Sequence, residues 1–454
     1  MSRGLQRERT DILERVTTGY LVCLLTVFLL YVGPGGYAEI TIHKWRAFAI
    51  LSGGYLALSL ILRIELALVG ERKLPGPGLR DVWCSLHSTQ KWLIVFWLCT
   101  LVSTLLSVDV SLSIWGGSRR EGLLTITMYC ACCLLVSEYA RPKPWLLGLF
   151  GVAVSLNCLL AMLQMTGRTP FGLYPDGMNY FDANIKYAGE YLGTIGNVDI
   201  LSAVLCVAIP LFWIGLLKGD RRWSICLIIP LVLSLWVLFK AFVAGGVVGV
   251  VGSVLLTIPV LAERKKTRIL CALSVFCLCV VGCVVIYRFG EQLGGFLGEA
   301  SAMMHGHWED RFGSGRGYIW RRSWELVPEK LWFGGGPDTL SLRSDASFER
   351  YDETLGMTIR SIVDNAHNEY LNILVDRGIF ALASYLIFLG ICAYHWVKDA
   401  PKNAVVAVTG GAVLCYSIQA FFGISSPISA PYFWLALGLL MGQLEQKTQR
   451  SEIT

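Results

Sequence analysis

Residues 264–290 read RKKTRILCALSVFCLCVVGCVVIYRFG: a basic cluster, an apolar run from Ile269 to Tyr287 without a single charge, then Arg288. A helix crosses about 30 Å of hydrocarbon with about 20 apolar residues. This stretch has that length, and the lysines and arginines before it are the flank that topology signals favour on the cytoplasmic side. Apolar runs of similar length recur on both sides of it. The chain has 454 residues, 54% hydrophobic and only 16% charged, where a soluble domain carries about 25% charged residues.

The apolar runs predict an all-α polytopic membrane protein, a single integral membrane domain over 1–454. About 12 transmembrane helices are expected, near 16–33, 46–69, 91–107, 122–139, 145–164, 198–217, 223–239, 241–261, 268–287, 378–397, 403–423 and 428–443. The first run is followed by Gly33-Pro-Gly-Gly rather than a small-residue cleavage site, so it reads as a retained helix. Alternation from a cytoplasmic N-terminus puts the clusters Arg72/Lys73/Arg80/Lys91, Arg141/Lys143, Lys218/Arg221/Arg222, Arg264/Lys265/Lys266/Arg268 and Lys398/Lys402 inside. Both termini are then cytoplasmic. The net charge of +6 is accounted for by these clusters, which excludes a nucleic-acid partner from the reading. The 15 cysteines, all but Cys84 in apolar runs, show no metal spacing and read as small buried hydrophobes.

Two polar loops fall on the outer side, at 165–197 and, between the ninth and tenth helices, at 288–377. The second holds 10 basic and 14 acidic residues. Loops this long are functional or disordered, and Trp308, Trp320, Trp324, Trp332 and Phe333 argue against disorder. Within it, Arg316 to Val327 has the periodicity of an amphipathic surface helix.

The chemistry concentrates in GSGRGYIWRRSWELVPEKLWFGGGPDTL (313–340) and DNAHNEYLNILVDRG (364–378). Guanidinium forks at Arg316, Arg321 and Arg322 match phosphate oxygens and stay charged at any working pH. His367 suits a general base because imidazole titrates near neutrality. Asp364 and Glu369 are close enough in sequence to orient or tune it.

These blocks resemble the O-antigen ligase and O-antigen polymerase superfamily of bacterial membrane glycosyltransferases. The resemblance is carried by Arg316, Trp320 and Trp324 leading into Leu331-Trp-Phe-Gly-Gly-Gly, and by His367-Asn368 with nine residues before Gly378. GGSRREGLLT (116–125) is similar to the family's Gly–Arg–Gly helix entry, and GTIGNVDILSAVL (193–205) to its Gly-Thr-x-Gly-Asn motif, with Val198 and Asp199 in place of Pro-Asn. Where the family often has Ser-Arg-Gly on a middle helix, this chain has Ala244-Gly245-Gly246, leaving Lys240 or the Arg119/Arg120 pair to supply the charge.

The resemblance implies a bacterial cytoplasmic-membrane enzyme. Its donor would be an undecaprenyl-pyrophosphate-linked glycan and its acceptor a saccharide or lipid core on the outer face, in polymerase or ligase fashion. The implied catalytic residues are His367 and Arg316; Arg119, Arg120 and Arg316 would bind the pyrophosphate, with Asn368 and Asp364 in support. No cofactor is implied, and a pyrophosphate leaving group needs no metal in principle. A secondary transporter and a non-catalytic relative of the family are the alternatives.

Overall fold

A computed structural model describes residues 2–69, 79–168, 170–174, 180–182, 185–187, 192–219, 224–352 and 356–453. Arg72, Lys73, Arg221 and Arg222 of the topology reading lie outside them, as do residues 175–179 and 188–191 of the first polar loop. The protein is a helical membrane protein. Among the described residues, six helices are long and apolar enough to span a membrane: Ile40–Glu65, Pro144–Met165, Val198–Lys218, Ala244–Leu261, Lys265–Leu293 and Glu369–Asp399.

The expected number was about 12, and the structure corrects it. Leu123–Tyr139, Ile225–Ala241, Ala404–Gln419 and Ala430–Leu444 are apolar but short. At 1.5 Å per residue they reach about 22–26 Å, less than the ~30 Å hydrocarbon thickness. The run near 91–107 lies in the helix Ser88–Leu105, whose Thr89, Thr100, Ser103 and Thr104 are buried hydroxyl residues rather than apolar ones. The run near 16–33 is divided, because the helix Ser2–Cys23 passes into a π-helical turn at Leu24–Phe28. Hydropathy along the chain counts apolar residues; it does not register where one continuous helix stops.

The Val198–Lys218 helix is the centre of the core. Nearly all of its first 18 residues are buried, and it packs against Ala404–Gln419, Ile228–Ala241 and Ala244–Leu261. The last two are separated at Phe242, whose left-handed backbone (φ 48°, ψ 46°) ends the first of them. At the other extreme, the 265–293 helix is peripheral: Leu270 and Phe276 are 65% and 66% exposed. An apolar surface of that kind is stable against lipid and not against water.

Side-chain-to-backbone hydrogen bonds fix the segment that leads into the Val198–Lys218 helix. Thr194 donates from its backbone N to Asn157 Oδ1 (2.7 Å) and from its hydroxyl to the Leu29 carbonyl (2.7 Å). Lys44, fully buried, donates to the carbonyls of Phe28 and Leu29 at 3.0 and 2.9 Å, satisfying acceptors that the end of the first helix leaves open. Asn197 then caps the 198–218 helix by accepting from Ile200 N at 3.0 Å. The position of Asp199 follows from this chain of contacts.

The Trp332–Gly336 segment lies directly on the start of the 369–399 helix. Gly335 N donates to the Val375 carbonyl (3.2 Å), Gly336 N to the Asp376 carbonyl (2.8 Å) and Ile379 N to the Leu331 carbonyl (2.8 Å). That approach excludes side chains. A Cβ on Gly378 (φ +81°) would sit 2.3 Å from the Trp332 carbonyl oxygen, and one on Gly334 (φ +66°) 2.3 Å from the Asp376 carbonyl carbon. Gly378 also interrupts the 369–399 helix, so Glu369–Arg377 forms a short lead before the membrane-crossing part. Residues Ser347–Asp352 and Met357–Ile362 pair as an antiparallel hairpin. The regular helix of this region runs from Arg316 to Glu325, with Gly313, Ser314 and Gly315 left-handed before it; Ile319 and Ser323 are buried and Trp324 is exposed.

Candidate active site

His367 stands at the turn between the hairpin and the 369–399 helix. Its backbone is left-handed, with φ +49°, a conformation uncommon outside glycine, in which strain accumulates at functional positions. The turn is pinned on every side. Asn368 caps the helix by accepting from Leu371 N at 3.0 Å, His367 N donates to Asn365 Oδ1 (2.9 Å), Ala366 N to Asn372 Oδ1 (3.0 Å) and Glu369 N to the Ala420 carbonyl (2.9 Å). The imidazole opens into a cavity of about 670 Å³, within the size range of sites that enclose small ligands.

Two arginine–aspartate pairs line that cavity with His367. Arg119 holds Asp364 through Nε at 2.9 Å and Nη2 at 3.1 Å, a two-point contact, and Ser118 donates its hydroxyl to the same carboxylate at 2.5 Å. Arg316 reaches Asp199 with Nη2 at 3.5 Å, while its Nε donates to the Phe422 carbonyl (3.1 Å) and its Nη1 to the Gly313 carbonyl (2.8 Å). The left-handed Gly313–Gly315 turn delivers Arg316 to this place. Phe348, Ile319, Ile362 and Val363 add an apolar wall, with Phe348 edge-on to Tyr318 at 5.7 Å between ring centres.

The electrostatics separate the roles. Burial, and then the Arg316 guanidinium, push His367 down to about 4; Asp199 and Asp364 oppose this and Arg119 adds to it. The imidazole is therefore neutral, and a proton acceptor, at neutral pH. For Asp364, burial favours the neutral acid, but Arg119 and the Ser118 hydroxyl outweigh it and hold the carboxyl below its ordinary range.

A second, buried network sits behind the first and fixes it. Asp338 Oδ2 accepts from Gly117 N (2.6 Å) and Glu121 N (3.3 Å), on the two sides of Arg119. Its own backbone N donates to Asp376 Oδ2 (3.2 Å), and Asp376 also binds Arg343 (3.1 Å) and Asn372 (3.1 Å). Burial, reinforced by Asp376, raises Asp338 from 3.8 to about 7. A raised carboxyl favours the folded state while protonated. Its contribution is full below pH 4 and is lost as pH rises through 7. Asp338→Asn is accordingly expected to flatten the fall in thermal midpoint of the detergent-solubilised protein between pH 5 and pH 8; an unchanged slope would assign that fall to other groups.

Of the residues singled out in the sequence, Arg316, Arg119, Asp364 and His367 meet in the cavity, and Asn368 supports the turn from below. Arg120 does not join them: its guanidinium lies over the Trp45 ring at 5.6 Å and donates to the Gly116 carbonyl at 3.4 Å. Neither Arg321 nor Arg322 lines the cavity: Arg321 pairs with Asp310, which does, and with Glu325, and Arg322 pairs with Glu325 and Asp345. Glu369 turns away from the cavity into the core, where it accepts from Tyr385 at 3.0 Å. Arg63 pairs with Glu138 and donates to the Tyr139 hydroxyl at 2.9 Å. Asp199 was noted only as a departure from a motif; its carboxylate in place of an amide was the available signal for a role at the site. Phe348 carried no signal, since it lies in a stretch without periodicity.

Residues 229–386 match the family model described as O-antigen ligase. This match supports assignment to the O-antigen ligase/polymerase superfamily. It spans about a third of the chain and contains Arg316, Asp364, His367 and Asn368, while Arg119 and Asp199 lie outside it. No curated protein matches the chain.

Proposed function

We propose that the protein transfers a glycan from an undecaprenyl-pyrophosphate-linked donor to a saccharide or lipid-core acceptor. The reaction would take place on the outer face of the bacterial cytoplasmic membrane, with both termini cytoplasmic. The observation that carries this reading is an imidazole and two guanidiniums lining one cavity that also has an apolar wall. The guanidiniums of Arg316 and Arg119 suit the oxygens of a pyrophosphate. Aromatic and aliphatic side chains opposite them suit the C–H face of a sugar ring.

In the transfer step the acceptor hydroxyl oxygen attacks the anomeric carbon, the bond from that carbon to the pyrophosphate oxygen breaks, and the acceptor proton passes to His367. Undecaprenyl pyrophosphate leaves with both bonding electrons, and Arg316 and Arg119 stabilise its developing charge. Asp364 holds Arg119 in line, and Asn368 holds the turn that aims the imidazole. Polymerisation of repeat units and ligation of finished chains use the same step and differ only in acceptor.

Reconstitution tests this. Protein in liposomes is given undecaprenyl-pyrophosphate-linked glycan and a candidate saccharide or lipid-core acceptor, and free undecaprenyl pyrophosphate and elongated glycan are measured together. Equal release of the two supports transfer. Movement of intact substrate across the bilayer without bond cleavage would point instead to transport, and neither outcome from a folded protein to a non-catalytic relative.

A further inference from the structure

We propose that Asp199 is a positioning residue that holds Arg316 at the cavity wall in the empty site and gives it up to the donor pyrophosphate. The inference rests on the donor reading above. Arg316 is anchored on two sides by backbone carbonyls of the scaffold, those of Phe422 and Gly313 at 3.1 and 2.8 Å. The contact to Asp199 is the longest of the three, at 3.5 Å, and the one made to a side chain. Both partners face the cavity. A pyrophosphate entering there meets a guanidinium whose backbone anchors leave its aim unchanged and whose carboxylate partner is held least closely.

Asp199 can release Arg316 without being left uncompensated. It lies in the first turn of the 198–218 helix, after the Asn197 cap, where the helix dipole stabilises an anion. Its departure from Arg316 has a second consequence. The charged groups that act on His367 come from four elements: Arg316 from the 316–325 helix, Asp199 from the 198–218 helix, Arg119 from the 116–122 loop, and Asp364 from the turn of His367 itself; Asp310 and Arg311, just ahead of the 316–325 helix, line the same cavity. In the empty site the two pairs neutralise each other. With the Arg316 guanidinium turned to pyrophosphate and Arg119 kept on Asp364, the Asp199 carboxylate faces the imidazole and favours its protonated form as it takes the acceptor proton.

The test is a split between binding and turnover. Asp199→Asn keeps the size and removes the charge that competes with phosphate, so KM for the lipid-linked donor and Kd for undecaprenyl pyrophosphate alone, measured in nanodiscs, are expected to fall by about threefold or more. At the same time kcat is expected to fall, and the acidic limb of its pH profile to move to lower pH. Asp199→Glu is expected to return kcat and the limb toward wild type. Weaker binding of undecaprenyl pyrophosphate by Asp199→Asn, or unchanged KM, kcat and pH limb, would overturn the proposal. Asp199→Ser carries the same expectation for binding if the asparagine variant does not fold. The donor reading is tested separately: an inactive His367→Ala beside an unaltered Asp199→Asn sinks this inference alone, whereas an active His367→Ala sinks the reading beneath it.

Discussion

His367→Ala is expected to reduce glycan transfer by about 10²- to 10⁴-fold, the range that a positioned proton-transfer group contributes, with lipid-linked donor accumulating in cells. Binding of undecaprenyl pyrophosphate should be retained, since the imidazole is neutral and the guanidiniums of Arg316 and Arg119 are untouched by the change. The acidity of the site gives a second signature. Burial and the Arg316 guanidinium hold the imidazole well below its ordinary range, so the base is available throughout the neutral range and is lost only in acid. The wild-type kcat/KM profile, which reports the free enzyme, should therefore show no limb near the ordinary histidine value of 6.5. A limb at 6 to 7 that disappears in His367→Ala would keep the catalytic role and refute the electrostatic account of it. Full activity in the alanine variant would remove the role.

Arg316→Ala is expected to cost about 10²- to 10³-fold in kcat, as the loss of one preorganised donor to a developing anion does, together with weaker donor binding. The side chain also satisfies two backbone carbonyls, Phe422 and Gly313, so its removal leaves acceptors open that water must reach. Thermal stability has to be measured alongside. Arg316→Lys sharpens the result: an ammonium keeps the charge but cannot hold both carbonyls and present a fork to phosphate. Lysine is expected to recover stability in part and to recover little transfer. Transfer within a few fold of wild type in the lysine variant would reduce Arg316 to a point charge, and the cavity geometry would then carry no specificity for pyrophosphate.

The membrane class of the protein was legible because composition acts everywhere at once: a chain with 54% hydrophobic and 16% charged residues has too few charges to cover a water-facing surface. The Ile269–Tyr287 run could be read as a crossing helix for the same reason. Whether Ala404–Gln419 counts as a full span could not, because its helix stops at Gln419 while the apolar character runs on through Ala420-Phe421-Phe422. Residue types in the candidate site were partly legible too. Arginine near glycines and a histidine before a helix cap are short-range patterns, and Arg316, Asp364, His367 and Asn368 lie within 53 consecutive positions.

Their arrangement was settled by the fold. Arg119 and Arg120 are adjacent and chemically equal in the sequence, yet one guanidinium grips Asp364 and the other lies on Trp45, because the left-handed backbone at Arg120 (φ +58°) turns the two side chains apart. Asp199 stands 117 residues from Arg316 and reaches it only through the Lys44, Thr194 and Asn157 contacts that fix the start of its helix. The reason is one of range. Hydrophobicity, capping and charge at neighbouring positions act over a few residues and are written in local order; which guanidinium faces which carboxylate depends on distances set by packing between helices far apart in the chain.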